Sequence, residues 1–140
     1  MTAAGEWEAT PLFREFGVSV ARVEPGFARL AVPHASVLIR GAREGINGGV
    51  IAGLAEAAMH VCLDAMLAAD ERAGATRELS VAYLSAARGA VTHVDARMVR
   101  KGRRLAVGTV EVRDAEADAV CSIVQISCSL SSGSSPLVRE

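Results

Sequence analysis

The run from Gly48 to about Ala69 or Asp70 limits this chain more than any other feature. It is apolar on nearly every side, it opens on Asn47-Gly48-Gly49, and its centre carries Glu56, His60 and Asp64. An Asn ahead of an apolar run is a good N-cap, so the segment predicts one helix of roughly 33 Å at about 1.5 Å per residue. A helix that is apolar all round must be enclosed by other structure. Three ionisable groups near its middle argue against a membrane span. Whatever the rest of the chain forms has to cover this helix.

The remaining sequence supplies strands. "GVSVARVEPGFARLAVP" reads as Val18 to Val23 and Phe27 to Val32, paired through a Pro25-Gly26 turn. After "ERAGAT", taken as the end of the helix, four more strand patterns follow: Arg77 to Leu84, Ala90 to Arg100, Arg104 to Arg113 and Ala119 to Leu130. Alternation is clearest in the first of them, where Leu79, Val81 and Tyr83 share a face. "RKGRR" (Arg100 to Arg104) and "DAEAD" (Asp114 to Asp118) make the hairpin turns. Residues 6–16 can form a short helix with Trp7, Leu12, Phe13 and Phe16 on its apolar side, interrupted by Pro11. Residues 34–47 read as a loop.

At 140 residues the chain buries roughly two thirds of its unfolded surface in one core. The expectation is a single domain over 1–140, with 1–17 as an N-terminal helical extension and 131–140 as a disordered tail. One long helix and about six antiparallel strands leave no second layer of helices. The fold class is therefore α+β, a curved sheet wrapped around the helix. With 51% hydrophobic residues and a net charge of -1, neither disorder nor a nucleic-acid partner is supported. Cys62, Cys121 and Cys128 lie in apolar patterns without metal spacing, and read as reduced and buried. The N-terminus lacks the basic start and apolar run of a signal peptide, which argues for a cytoplasmic protein without a membrane partner. His34 and His93 have no partner at metal spacing, and no cofactor motif is present.

This order and three local strings resemble the hotdog fold, and within it the PaaI-like (4-hydroxybenzoyl-CoA thioesterase-like) acyl-CoA thioesterases, over about residues 18–130. "GINGGVIAGLAEAA" looks like that family's loop-to-helix motif, usually His-Gly-Gly with an acid eight residues after the first Gly; Gly48 and Glu56 match it. "TRELSVAYLSAARG" is similar to the strand after the central helix, and "VRKGRRLAVGTVEVRDAEADAV" to the next hairpin. Two positions depart. The family's His is Asn47 here, and the Asn often found six residues before that His falls on Gly41.

The resemblance implies hydrolysis of a small or aromatic acyl-CoA. Gly48 and Gly49 stand at a helix start, where unpaired N–H groups could meet a substrate carbonyl as in an oxyanion hole, with the Gly48 N–H as the principal donor. The alternative is a pair of glycines that merely permits a tight turn. Glu56, a carboxylate expected to be buried because "AGLAEAAM" (52–59) holds no other polar side chain, is the expected general base or nucleophile; otherwise it pairs with His60, four residues on. Thr76 can orient water, or simply bond its own backbone. His60 is placed in the substrate site, and Arg88, Arg100, Lys101, Arg103 and Arg104 can meet coenzyme A phosphates or form a solvated hairpin tip. About 12 Å of helix rise separates Gly48 from Glu56, too far for both to engage one thioester carbonyl. If both are catalytic they come from different chains, which predicts a homodimer, or a dimer of dimers, with composite sites. The competing functions are a non-catalytic acyl-CoA-binding protein and an acyl-thioester hydratase or dehydratase, the latter disfavoured by the absent His.

Overall fold

A computed structural model describes residues 3–34, 41 and 44–133. Two short helices, α1 (Ala3–Glu8) and α2 (Pro11–Phe16), precede the hairpin of β1 (Ser19–Glu24) and β2 (Phe27–Pro33). The long helix α3 (Gly48–Asp64) follows, then β3 (Glu71–Tyr83), β4 (Val91–Lys101), β5 (Leu105–Asp114) and β6 (Ala119–Ser132). All pairings are antiparallel, in the order β1-β2-β4-β5-β6-β3. The sheet curves around α3 as expected, and β1 and β3 are its edges.

Alternation along the central strands decides which side meets the helix. In β5, Ala106, Val110 and Val112 are buried against it; in β6, Val124, Ile126, Cys128 and Leu130 are. From α3 they meet Ile51, Leu54, Ala58, Met59 and Cys62. Full burial of each large apolar side chain contributes about 1.5–3 kcal/mol, so this interlayer is the main source of stability. All three cysteines are free and buried, as expected.

Four boundaries differ from the sequence expectations. Pro11 does not kink one helix over 6–16 but starts a second, where its missing N–H costs nothing. The long helix ends at Asp64 with Ala65 as its C-cap, about five residues early. "ERAGAT" is not a terminator but the first half of β3, which begins at Glu71 rather than Arg77. The Glu71 carboxylate accepts from the Ala68 N–H at 2.8 Å and from Lys101 Nζ at 2.7 and 2.9 Å, tying the end of the helix turn to β4. Both contacts hold the carboxyl below its usual range, the Ala68 N–H foremost. Finally, Ser131 and Ser132 belong to β6, paired with Arg72 and Glu71. The expected tail beyond them, 134–140, lies outside the described residues, as do 35–40 and 42–43 of the expected loop.

The N-terminal segment packs on the C-terminal end of α3. Trp7 stacks obliquely on Phe13, with 5.9 Å between ring centroids, and its Nε1–H donates to Asp64 Oδ2 at 3.0 Å. On the outer face of the sheet Arg29 forms a two-bond fork on Asp95, 2.7 and 2.8 Å, with Asp95 only 3% exposed. No helix among the described residues is long and apolar enough to cross a membrane.

Candidate active site

The start of α3 is built as an N-terminus should be. Asn47 caps it, its Oδ1 accepting from the N–H groups of Gly49 at 2.8 Å and Val50 at 3.3 Å, while its carbonyl takes the Ile51 N–H at 2.9 Å. The Gly49 N–H is therefore engaged. The Gly48 N–H has no acceptor among the described residues, which leaves it as the one free donor at the positive end of the helix dipole. Tyr83, at the end of β3, donates its hydroxyl to the Gly48 carbonyl at 2.6 Å. Its ring lies so close that a Cβ on Gly48 would come within 3.2 Å of it. Gly48, Tyr83, Ile46, Ile51, Leu84 and Ala87 line an open cavity of about 290 Å³, and the Ala87 carbonyl accepts from the Ile46 N–H at 3.1 Å.

The two departures from the family motif lie against each other. Gly41 N–H donates to Gly45 O at 2.6 Å, and a Cβ on Gly41 would lie 2.7 Å from the Asn47 Cα. No side chain fits there unless the loop moves.

Glu56 is not where its neighbours in sequence suggested. "AGLAEAAM" implied a buried carboxylate, yet Glu56 is exposed. It lies with Gly49, Gly53 and His60 on the one stripe of α3 that this chain's sheet leaves open, and a Cβ on Gly53 would meet nothing within 4 Å. The alternative, a pairing with His60, is absent too, for Glu56 makes no hydrogen bond or ion pair among the described residues. His60 turns to β3 and β6 instead: its Nε2 is 3.3 Å from Thr76 Oγ1 and 3.7 Å from Cys128 Sγ.

Thr76 thus faces the helix, as a water-orienting residue would have to. Two shifts in the β3–β6 register, between Ala73 and Thr76 and between Thr76 and Glu78, set it there; bulges at a sheet edge re-aim side chains in this way. Cys128 is the neighbour that sequence reading missed, having passed as a small hydrophobe. Burial, more than the nearby Glu56 charge, pushes its thiol up against the opposing Thr76 contact, so it stays protonated and a poor nucleophile. Tyr83 was missed as well, although its place on the Leu79 and Val81 face was a usable signal. Asp64, one turn beyond His60, is pushed up by burial against the Trp7 hydrogen bond and the His60 charge.

The expected basic cluster divides. Arg103 and Arg104 sit in the β4–β5 turn beside Arg100, whereas Lys101 is committed to Glu71. Arg88 lies before the other end of β4, a strand whose eleven residues span roughly 36 Å at about 3.3 Å each. Within one chain Arg88 and the turn arginines do not meet.

Among known proteins, the model of the thioesterase superfamily matches residues 45–121, more than half of the chain and all of the site elements from the Gly48 turn through β5. No curated protein sequence matches. Solved structures agree in fold at low identity. A thioesterase from Haemophilus influenzae superposes with a TM-score of 0.82 at 14% identity, covering 94% of this chain and 92% of that one. A thioesterase family protein from Silicibacter pomeroyi gives 0.82 at 17%, covering 92% and 95%. A mutant of the phenylacetic acid degradation protein PaaI from Thermus thermophilus gives 0.73 at 20%, covering 86% and 98%. The chain has the hotdog fold and belongs to the thioesterase superfamily.

Proposed function

We propose that the protein hydrolyses the thioester of a small or aromatic acyl-CoA, in composite sites formed by two copies of the chain. The observation that carries this is the state of the two ends of one helix segment. Gly48 keeps an N–H without an acceptor among the described residues beside a small cavity, while Glu56, two turns on, makes no ion pair or hydrogen bond among them and lies on an open stripe. About 12 Å of rise keeps them from one carbonyl; a second copy laid against the stripe would bring its Gly48 to this Glu56.

The carbonyl oxygen accepts from the Gly48 N–H, which holds the negative charge that develops on it. Glu56 takes a proton from water as the water oxygen bonds to the carbonyl carbon. The C–S bond then breaks, the acid forms, and the thiolate leaves with the proton returned by Glu56. In the covalent variant the Glu56 carboxylate attacks first, the C–S bond breaks and the thiolate leaves, giving a mixed anhydride that water opens to the free acid and Glu56. Thr76, its hydroxyl beside His60, orients the water. Asn47 acts through the cap rather than by touching the substrate with its Oδ1.

That commitment of Asn47 to the cap also favours a second reading, a protein that binds acyl-CoA and turns it over poorly or not at all. A panel of short, medium and aromatic acyl-CoA substrates, followed by thiol release, separates the two. Glu56→Ala is expected to lower kcat at least about 10²-fold, the usual lower range for a general base. Wild-type turnover in that variant removes the assignment of Glu56; tight acyl-CoA binding without thiol release decides for the binder.

A further inference from the structure

His60 is a titratable group of α3 to which the proposed chemistry gives no task of its own. It is half-buried one turn beyond Glu56, and its ring reaches the sheet where the register of β3 slips. Nε2 stands 3.3 Å from Thr76 Oγ1 and 3.7 Å from Cys128 Sγ. Thr76 and Cys128 lie opposite each other across β3 and β6. Side chains from two strands thus converge on one ring nitrogen of the helix.

Their hydrogens decide the state of that nitrogen. Thr76 brings an O–H. Cys128 brings an S–H, because burial keeps its thiol protonated against the Thr76 contact. Sulfur is a weak acceptor, so an unprotonated Nε2 is the strong acceptor within reach of both. A hydrogen on Nε2 would aim three donors at a place where only the Thr76 oxygen accepts well. The ring that fits is neutral, with its hydrogen on Nδ1. Its lone pair takes the Thr76 O–H, the stronger of the two donors, and the Thr76 oxygen keeps its own lone pairs for another donor. Glu56 is near, for its charge is felt at Cys128. A water giving one hydrogen to Glu56 and the other to Thr76 Oγ1 has a lone pair left to aim at a carbonyl carbon.

We infer that His60 is a positioning residue: its neutral Nδ1–H form holds the Thr76 hydroxyl with the O–H turned to Nε2 and the oxygen turned to the attacking water. This rests on the proposed thioesterase reading and adds to it how Thr76 is aimed. Protonation of the ring reverses the arrangement, since Nε2–H then donates to Oγ1 and makes Thr76 a donor to the water. The titratable groups around the ring are Glu56 and Asp64, one turn to either side on α3, Glu6 of α1 beside Asp64, and Cys128 of β6; β3 faces it with Thr76.

Thiol release measured against pH, beside nitrogen NMR of the His60 ring, tests this. His60→Leu is expected to lower kcat at least about tenfold with KM within about twofold. His60→Gln, whose amide oxygen accepts where Nε2 does but takes up no proton, should restore most of the loss. The acid limb of log kcat is expected to have a slope of about two in the wild type, where Glu56 and His60 must both be unprotonated, and about one in His60→Gln. In a Thr76→Val background His60→Leu should cost no more than about twofold, because the hydroxyl it aims is gone. An equal loss with and without Thr76, an unchanged acid limb in His60→Gln, or a hydrogen found on Nε2 overturns the positioning role and leaves the thioesterase reading intact. A wild type that releases no thiol, with its ring in the Nδ1–H form, overturns the thioesterase reading and the aimed water with it, while the hydrogen bond stands.

Discussion

The first turn of α3 and its middle belong to the same helix, yet the chain treats them differently. The turn is finished within one chain: Asn47 caps it, Tyr83 clamps the Gly48 carbonyl and the Ile46 N–H bonds the Ala87 carbonyl beside it. The middle is unfinished. Gly49, Gly53 and Glu56 lie on an open stripe of a helix whose other faces are largely sunk in the core, with His60 at its edge turned toward Thr76. On the proposed reading one chain completes a carbonyl-binding donor and leaves an acid to be met by a second copy. The exposed stripe of small residues beside a carboxylate without a partner among the described residues is the surface that such a copy would cover.

Disturbing the finished half should cost most. Gly48→Ala puts a Cβ 3.2 Å from the Tyr83 ring and crowds the approach to the free N–H. Thiol release is expected to fall about 10²-fold, near the value of one oxyanion donor, chiefly in kcat. A loss confined to KM would mean that Gly48 only shapes the cavity. Removing the cap while leaving the donor should separate stability from chemistry. Asn47→Ala is expected to lower unfolding free energy by about 1 kcal/mol in urea titration, with kcat within a few-fold of wild type. A collapse of kcat with unchanged stability would instead make Asn47 a substrate-contacting residue.

The smallest effect lies at the far end of the open stripe. Asp64 has its folded pKa raised, so it disfavours the folded state once ionised: its contribution is most favourable below its unfolded pKa and is lost as pH rises through the folded value. Asp64→Asn should match wild-type stability near pH 3 and exceed it at pH 7. The gain is only about a few tenths of a kcal/mol, because the side chain is partly exposed and solvent screens its charge. Equal stability of the two proteins at both pH values would show that burial there has no energetic consequence.

Much of this was legible in the sequence, for reasons that also explain the gaps. Asn47 fixed the helix start because an N-cap is a local device. The β4–β5 and β5–β6 turns were local too. The first half of β3 was not, because Gly74 and two register shifts break the alternation that announces a strand, and only pairing with β6 restores it. The helix end was equally hidden: "AMLAAD" has helical composition, and a carboxylate from the next strand, Glu71, claims the Ala68 N–H. Glu56 was placed in the core from its apolar neighbours, although Gly49, Ala52 and Gly53 on its own side marked a face with nothing large to bury. The resemblance to the family supplied the Gly48 and Glu56 pair, and helix geometry supplied the inference that, if both are catalytic, they serve different sites.

That conclusion has a direct test in mixed dimers of Gly48→Ala and Glu56→Gln chains, each expected to be nearly inactive alone. If each site takes Gly48 from one chain and Glu56 from the other, a mixed dimer contains one site with both residues intact. Random mixing in equal amounts should then restore about a quarter of wild-type thiol release, since half of the dimers are mixed and each has one working site. Activity that stays at the level of the parents after exchange would contradict the composite site and return both residues to a single chain.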